Sequence, residues 1–185
     1  MINIKKYAYT SDIKPEINGV YIARKDDKIV QVATNSYTLI ETEVSDTLKH
    51  IIDTYFTNHN IDKCLLDIDT YDKLVKEVNK AKSDISKVAL LFDMAVNIKS
   101  NVNKDLHYPD YSQIINREYT ACETFNYTIN CDSLAVLIDT LNQVAKIKGG
   151  NKYSSINFDN FKVHGCTLYY PISDDIKILI TYTNK

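Results

Sequence analysis

The sequence predicts an α+β fold in which helices gather on one face of antiparallel sheets. Residues 18–34 alternate apolar and polar side chains on both sides of a Lys-Asp-Asp-Lys turn, which is typical of a β-hairpin. Apolar residues recur with the period of an amphipathic helix at 47–57, 70–82 and 131–148. The order of strand, helix and several strands occurs at 63–108 and again at 124–183, which predicts a structural repeat.

The composition indicates a globular chain, because 44% of its 185 residues are hydrophobic and 25% are charged. The formal net charge of −2 argues against general nucleic-acid binding through net charge, but it leaves room for a local basic surface. The first ten residues contain no apolar run, and no window approaches 18 apolar residues. We therefore expect neither an export signal nor a membrane span, and a cytoplasmic location.

Nothing in the sequence points to a catalytic centre, a metal or another cofactor. Four glycines cannot supply a phosphate-binding loop, and no nucleophile or zinc-protease motif occurs. The four histidines are scattered, and the four cysteines form no C-x-x-C pair, so reduced thiols are expected. The cysteines are Cys64, Cys122, Cys131 and Cys166.

The first 57 residues predict three strands and one helix. Two strands flank the turn at Asp26 and Asp27, and a third covers 37–44 after a polar break at residues 34–37. A short amphipathic helix is predicted at 47–57, whereas 1–44 contains no convincing helix.

In the middle of the chain, a strand at 63–69 leads into the helix at 70–82. Asp69 is the predicted N-cap, with Asp72 in a capping-box position. The same carboxylates, together with Asp67, would also suit a metal site, but capping explains their spacing without a ligand. Two alternating strands are then predicted at 87–92 and 94–100, and residues 108–115 close the block.

The last third begins with a predicted strand at 124–130 and the long helix at 131–148. Gly149 and Gly150 end this helix. Further strands are predicted at 154–158, 161–170 and 175–183.

A row of lysines on the helix at 70–82 is the candidate DNA contact. Lys73, Lys76 and Lys80 recur at i, i+3 and i+7, so they could follow a phosphate backbone. The alternative is an ordinary solvated face on which Glu77 pairs with Lys73 or Lys80.

Three segments, taken in order, resemble bacterial sliding clamps, the β subunit of the replicative DNA polymerase. Residues 17–41 resemble the clamp hairpin and its following A-T-D-G-H-R-L-A strand, and "YPDYSQII" (108–115) resembles the F-P-D-Y segment. Residues 125–147 resemble the strand and helix that open a clamp half-domain. The family's Asp-Gly-His-Arg is replaced by residues 35–38 here, and its C-terminal Met-Pro by residues 180–181. A short, divergent clamp of this kind suits a phage or another mobile element.

The resemblance implies β-α-β-β-β half-motifs whose helices surround duplex DNA. It divides the chain into 1–116, a clamp-like domain whose first half-motif lacks its helix, and 117–185, a further half-motif. It also implies a hydrophobic groove for short peptides of DNA polymerase and the clamp loader. Carried over by position, that groove consists of Thr34, Tyr37, Thr38, Leu39, Pro109, Gln113, Ile114, Ile178 and Ile180.

Two functions follow from the resemblance, and neither needs a catalytic residue. The first is a homo-oligomeric processivity factor that binds duplex DNA without sequence preference, through phosphate contacts from the lysine row. The second is an interaction protein that keeps the clamp fold and engages host replication proteins without encircling DNA. For the groove itself, the alternative is that Tyr37 only caps a sheet edge and that Ile178 and Ile180 are core residues.

Overall fold

An eight-stranded antiparallel sheet forms the centre of the molecule, in the order β4-β1-β2-β3-β9-β8-β7-β5. The structure is a computed structural model, and it describes residues 1–122, 127–153, 156–173 and 176–184. The strands of this sheet are β1 (Val20–Lys25), β2 (Lys28–Thr34), β3 (Thr38–Glu43), β4 (Lys63–Leu66), β5 (Thr120–Ala121), β7 (Lys162–His164), β8 (Thr167–Ser173) and β9 (Ile176–Thr181). Two short strands, β6 (Tyr127–Thr128) and β10 (Thr183–Asn184), pair separately.

The helices are α1 (Asp46–His59), α2 (Ile68–Val78), α3 (Ile85–Ile98), α4 (Ser100–Asn103), α5 (Ser112–Ile115) and α6 (Cys131–Ile147). Four of them, α1, α2, α3 and α6, supply the main core together with one face of the sheet. The predicted α+β class is therefore confirmed, and the four long helices lie on one face of the sheet as predicted. No helix among the described residues is long and apolar enough to cross a membrane.

The first hairpin forms as the sequence predicts. Strands β1 and β2 are antiparallel, with Lys25 opposite Lys28, and Asp26 takes a positive φ of 54° in the turn. Strand β3 then pairs with β9, which places Leu39 opposite Leu179. This pairing joins a strand from before residue 116 to a strand from after it in one sheet. The predicted division into 1–116 and 117–185 stays a prediction.

Alternate residues of each strand face opposite sides of the sheet, because the side-chain period of a strand is two residues. Ile22, Ile40 and Ile178 belong to the main core beneath the helices. Val32, Leu39 and Leu179 belong to a second, smaller cluster on the other face. The segment around α5 covers that second face, where Ile115 is buried.

The two strands predicted at 87–92 and 94–100 are wrong, since residues 87–98 lie in the single helix α3, and Ser100 begins α4. The prediction failed because α3 is apolar on both sides, which hides the helical period. Val88, Phe92 and Ala95 are buried, yet Leu90 and Met94 are exposed. The block at 63–108 therefore continues after α2 with helices.

The predicted cap of α2 is also wrong. The side chain of Asp67, not Asp69, accepts the hydrogen bond from the backbone N–H of Thr70 at 2.9 Å. Asp69 lies exposed in the first turn of the helix, and Asp72 accepts hydrogen bonds from side chains instead of closing a capping box. The helix ends at Val78, before the predicted residue 82.

The C-terminal third agrees with the sequence in its long helix and in the strands of 161–170 and 175–183, whereas no strand forms at 156–158. Helix α6 is confirmed, and Gly149 follows it with a φ of 69°. The strand predicted at 161–170 is the hairpin of β7 and β8, which turns at Gly165. Of the strand predicted at 154–158, residues 154–155 lie outside the described residues, and 158 begins a short 3-10 helix. The prediction at 124–130 falls partly on 124–126, which are also outside, and β6 forms at 127–128.

Candidate peptide groove

A tight turn at residues 34–38 joins β2 to β3, and its hydroxyls and amide satisfy its own backbone. The side-chain oxygen of Asn35 accepts hydrogen bonds from the backbone N–H groups of Tyr37 and Thr38, at 3.0 and 2.8 Å. The hydroxyl of Thr34 donates to the carbonyl of Thr38 and accepts from the N–H of Ser36. Ser36 sits at a positive φ of 78°, which costs a residue other than glycine some free energy. The density of polar residues here thus has a structural cause.

The turn leaves one aromatic side chain pointing outward, because Tyr37 is 69% exposed. Its backbone is fixed, since the Tyr37 carbonyl accepts hydrogen bonds from the N–H and the hydroxyl of Thr181, at 2.8 and 3.1 Å. Thr181 is the last residue of β9, so the turn is tied to the end of a neighbouring strand. An exposed ring on a fixed backbone is suited to contact with another molecule.

A pocket of about 90 Å³ lies beside Tyr37, between the turn, β9 and α5. This volume equals that of about three water molecules at about 30 Å³ each, so it accommodates one small apolar side chain. Its residues are Thr34, Ser36, Tyr37, Thr38, Leu39, Ile114, Thr167, Leu179, Ile180 and Thr181. None of these ten residues is charged, and five of them carry an aliphatic hydroxyl.

Six of the nine groove residues expected from the sequence lie together in this pocket: Thr34, Tyr37, Thr38, Leu39, Ile114 and Ile180. Pro109 and Gln113 belong to the same covering segment but do not line it. Ile178 is fully buried in the main core, on the opposite side of the sheet from Leu39.

Four lining residues were missed: Ser36, Thr167, Leu179 and Thr181. The alternation of side chains along β9 would have predicted that Leu179 lines the pocket. Leu39 and Leu179 are cross-strand partners, so their side chains share a face, whereas Ile178 and Ile180 point toward the main core. Ile180 lines the edge of the pocket while it packs in that core. Ile178 and Ile180 are thus core residues, as the alternative interpretation of the groove expects. The exposure of Tyr37 is what the groove interpretation expects.

The segment "YPDYSQII" holds α5, and with it Ile114, against the sheet. The ring of Tyr108 stacks on that of Tyr21 at 4.2 Å, and Tyr111 meets both rings edge-on. Asp110 accepts hydrogen bonds from the N–H and hydroxyl of Ser112, which start the helix. These contacts give the aromatic motif a positioning role at the pocket wall.

Near Tyr111, the buried carboxylate of Glu41 forms ion pairs with two lysines. Glu41 is 3.1 Å from the Nζ of Lys25 and 3.7 Å from that of Lys177. Burial raises the pKa of Tyr111, and the neighbouring Glu41 carboxylate raises it further. Tyr111 therefore stays protonated at neutral pH, as a hydrogen-bonding partner of Glu41.

The predicted lysine row does not lie on one helix, because Lys73 and Lys76 are on α2 whereas Lys80 lies two residues beyond its end at Val78. Lys76 and Lys80 are each paired with a carboxylate of α2. Lys76 donates to Asp72 at 2.8 Å, and Lys80 donates to Glu77 at 2.7 Å. A hydrogen bond from Lys80 lowers the pKa of Glu77, and Lys87 of α3 contributes to the same effect. Lys73 is exposed and has no ion pair among the described residues. The pairing of Glu77 with Lys80 is the one expected of a solvated helix face.

The described residues contain no cluster of three or more histidines, cysteines or carboxylates that could hold a metal ion. None of the four cysteines, all of which are described, forms a disulfide. Cys64 is buried, which raises its pKa and keeps it protonated, while Cys131 and Cys166 are exposed.

No protein-family model and no curated protein sequence matches this chain. Among solved structures, the DNA polymerase III subunit beta from Borrelia burgdorferi, in complex with a natural product, is similar with a TM-score of 0.51 and 13% identity. The match covers 98% of this chain and 60% of that one. The DNA polymerase III beta subunit of Thermotoga maritima has a TM-score of 0.43 and 10% identity, over 99% of this chain and 62% of that one. This chain thus spans about 60% of the length of these proteins, and the first similarity shows a shared fold.

Proposed function

We propose that this chain, whose fold is that of a bacterial DNA polymerase III beta subunit, acts in DNA replication as a clamp-like protein without a catalytic centre. The observation that carries the proposal is the fold similarity over 98% of the chain. In this role it is a processivity factor, or a modifier of one. Its partners are duplex DNA and short peptides of DNA polymerase and the clamp loader.

The pocket beside Tyr37 supports the peptide part of the proposal. Short linear motifs bind by inserting one or two apolar anchors into a small pocket, while their backbone hydrogen-bonds to the rim. Leu39, Leu179 and Ile114 offer the apolar floor, and the threonines offer the rim. Because no lining residue is charged, the anchor is a neutral apolar side chain, and charged residues of the motif lie outside the pocket.

Titration calorimetry with a clamp-binding peptide of a replicative polymerase tests this site. Tyr37→Ala should weaken binding at least about tenfold, because exposed aromatic anchors commonly contribute more than about 1.4 kcal/mol to an interface. Tyr153→Ala is the matched control, since Tyr153 is also exposed but lies away from the pocket, beside α6. The peptide site is disproved when the native protein binds no peptide, or when both variants lose affinity equally.

Lys73, Lys76 and Lys80 are the proposed phosphate contacts. DNA would compete with Asp72 and Glu77 for two of these ammonium groups, so binding should be weak and should fall steeply with added salt. Retention on duplex DNA at low salt should be lost after Lys→Gln at all three positions, a change that removes three positive charges and adds no negative one. The control is Lys→Gln at Lys148, Lys152 and Lys162, which are exposed elsewhere. Equal retention by the two triple variants would leave the row as a solvated face.

A second candidate function is a clamp-fold interaction protein that binds host replication proteins without encircling DNA. The internal pairing of Lys76 and Lys80 favours it, because a surface already neutralised by its own carboxylates attracts phosphates poorly. A monomer in light scattering that binds the polymerase peptide but not DNA would establish this second function over the first.

A further inference from the structure

A pocket of about 290 Å³ lies between α1 and α3, and it shares no residue with the pocket beside Tyr37. Its volume equals that of about ten water molecules at about 30 Å³ each, so it accommodates a ligand of about ten non-hydrogen atoms. Ile51 of α1, together with Ala89 and Phe92 of α3, supplies apolar surface within it. Pockets that bind small molecules combine such surface with a few polar groups, and those groups set the class of ligand.

Three rings of this pocket form one aromatic wall. The ring of Tyr55 stacks on that of His59, with centroids 4.0 Å apart, and meets the buried ring of Phe92 edge-on at 5.2 Å. Aromatic rings attract cations through their negatively polarised faces, and they offer a large apolar contact area as well. The wall therefore suits an apolar ligand that carries a positive charge.

The charged side chain of the pocket is Asp93. It is the one carboxylate among the nine lining residues, none of which is a lysine or an arginine. One of its oxygens accepts a hydrogen bond from the amide of Asn97 at 2.9 Å, and its other oxygen has no partner among the described residues. Burial raises the pKa of Tyr55, and the negative charge of Asp93 raises it further, so the carboxylate acts on the aromatic wall. The pocket thus holds a negative charge that no cation balances.

The hydrogen bonds already made within the pocket leave mainly acceptors. The hydroxyl of Thr54 donates to the carbonyl of His50 at 2.9 Å. The Nδ1 of His59 donates to the carbonyl of Tyr55 at 2.9 Å, because a carbonyl can only accept. The Thr54 oxygen and the Nε2 of the neutral His59 ring remain as acceptors, while the side chains of His50 and Asn58 can donate or accept. A ligand that donates hydrogen bonds is therefore favoured.

The end of α1 adds to this preference. Asn58 and His59, which line the pocket, are the last two residues of that helix. The carbonyl groups at a helix C-terminus carry partial negative charge, which favours a nearby cation and disfavours an anion. The carboxylate, the aromatic wall, the acceptors and the helix end thus all select the same sign of charge.

We propose that this pocket binds a small organic cation, with its ammonium group at Asp93 and its apolar body against Tyr55, His59 and Phe92. The ligand is a free molecule, because the side chain of a partner's lysine would fill only about half of a space for about ten non-hydrogen atoms. The inference does not rest on the proposed function.

Proton NMR of the histidine rings tests the site with phenethylammonium as the probe. Phenethyl alcohol and phenylacetate are its neutral and anionic counterparts of nearly the same size. Phenethylammonium should shift the ring signals of His50 and His59 until they saturate, with a dissociation constant of about 1 mM. His107 and His164 lie outside the pocket, so their signals are internal references. The alcohol should bind roughly tenfold more weakly, and phenylacetate more weakly still.

Asp93→Asn should weaken the binding of phenethylammonium by roughly tenfold, because it removes one charge-assisted hydrogen bond. Its affinity for phenethyl alcohol should stay unchanged, which shows that the pocket is still formed. Asp69→Asn is the control, since it removes an exposed carboxylate from α2 and changes the net charge equally. It should bind the cation as the native protein does.

Three results overturn the cation site. They are the absence of saturable shifts at His50 and His59, equal affinity for the cation and the alcohol, and an undiminished affinity for the cation in Asp93→Asn. N-acetyl-lysine methylamide, which presents an ammonium group on a peptide backbone, tests the source of the ligand. If it bound more tightly than phenethylammonium, the assignment to a free molecule would be overturned.

Discussion

Helices α2 and α3 are neighbours of similar construction with opposite outer surfaces. Both begin after an aspartate N-cap, both bury an aromatic side chain (Tyr71 and Phe92), and they pack on each other beside β4. The outer surface of α2 carries charged residues that pair among themselves. The outer surface of α3 carries Leu90, Met94 and Ile98 without a cover among the described residues.

The difference lies in the side chains that each outer surface presents, which are paired charges on α2 and apolar residues on α3. Charge pairs such as those of Asp72 and Glu77 keep the outside of α2 in water, so most of its stability comes from its inner side. The inner side of α3 stabilises the monomer, while its outer side contributes only when another surface covers it. Substitutions on the two sides of each helix separate these contributions.

The largest expected effect is that of Phe92→Ala. Removing this fully buried ring should lower the free energy of unfolding by about 3–5 kcal/mol, because the cavity left in the main core cannot be refilled. Leu90→Ala, two residues away on the outer side of the helix, should change it by less than about 0.5 kcal/mol. Urea titration of both variants measures the contrast. A loss at Leu90 comparable to that at Phe92 would show that the Leu90 side chain is packed against other residues and not exposed.

Tyr71→Phe should have the next largest effect. The Tyr71 hydroxyl lies 2.7 Å from the side-chain oxygen of Gln31 and accepts from the N–H of Ile4, in a site closed to water. The change leaves Gln31 with an unpaired buried acceptor, which should cost about 1–3 kcal/mol. Tyr37→Phe is the control, because the exposed Tyr37 hydroxyl can bond to water. Equal stability of both variants in urea would contradict the buried network.

The two N-caps should differ in strength. Asp67 accepts from both the N–H and the hydroxyl of Thr70, at 2.9 and 2.8 Å, whereas Asp84 accepts one longer bond of 3.2 Å from Lys87. We expect Asp67→Ala to cost about 1–2 kcal/mol and Asp84→Ala about 0.5 kcal/mol. Asp69→Ala should be nearly neutral. The order of the three urea midpoints would be reversed if Asp69 were the cap.

The smallest effect concerns pH and the outer side of α2. Burial opposes ionisation of Asp72, but hydrogen bonds from Lys76, Lys5 and Asn3 outweigh it and hold its pKa at about 2. A carboxyl with a pKa near 3.9 in the unfolded chain then stabilises the fold above about pH 4, and this contribution is lost as the pH falls toward 2.

Asp72→Asn should therefore flatten the loss of stability between about pH 4 and pH 2, with a change below about 1 kcal/mol at neutral pH. Thermal unfolding across this pH range measures the slope. An unaltered slope in Asp72→Asn would mean that the ion pairs of α2 are not formed in solution.

The elements that the sequence alone predicted are those whose pattern is local. The first hairpin, the helix at 131–147 and the glycine after it follow from alternation, helical period and turn residues within one segment. The family resemblance added the clamp fold and six of the nine residues that meet in the pocket. It misplaced Ile178, because correspondence by position ignores which face of the strand a side chain takes.

What only the tertiary structure decided concerns the two faces of each element. The sequence determined the α+β class, since the periods of two and 3.6 are properties of the chain itself. It could not distinguish α3 from two strands, because burial on one side and exposure on the other depend on where α1, α2 and the sheet lie. The pairing of Leu39 with Leu179 joins residues 140 positions apart by number. Such long-range register arises from packing of the whole sheet, and it is this register that forms the pocket beside Tyr37.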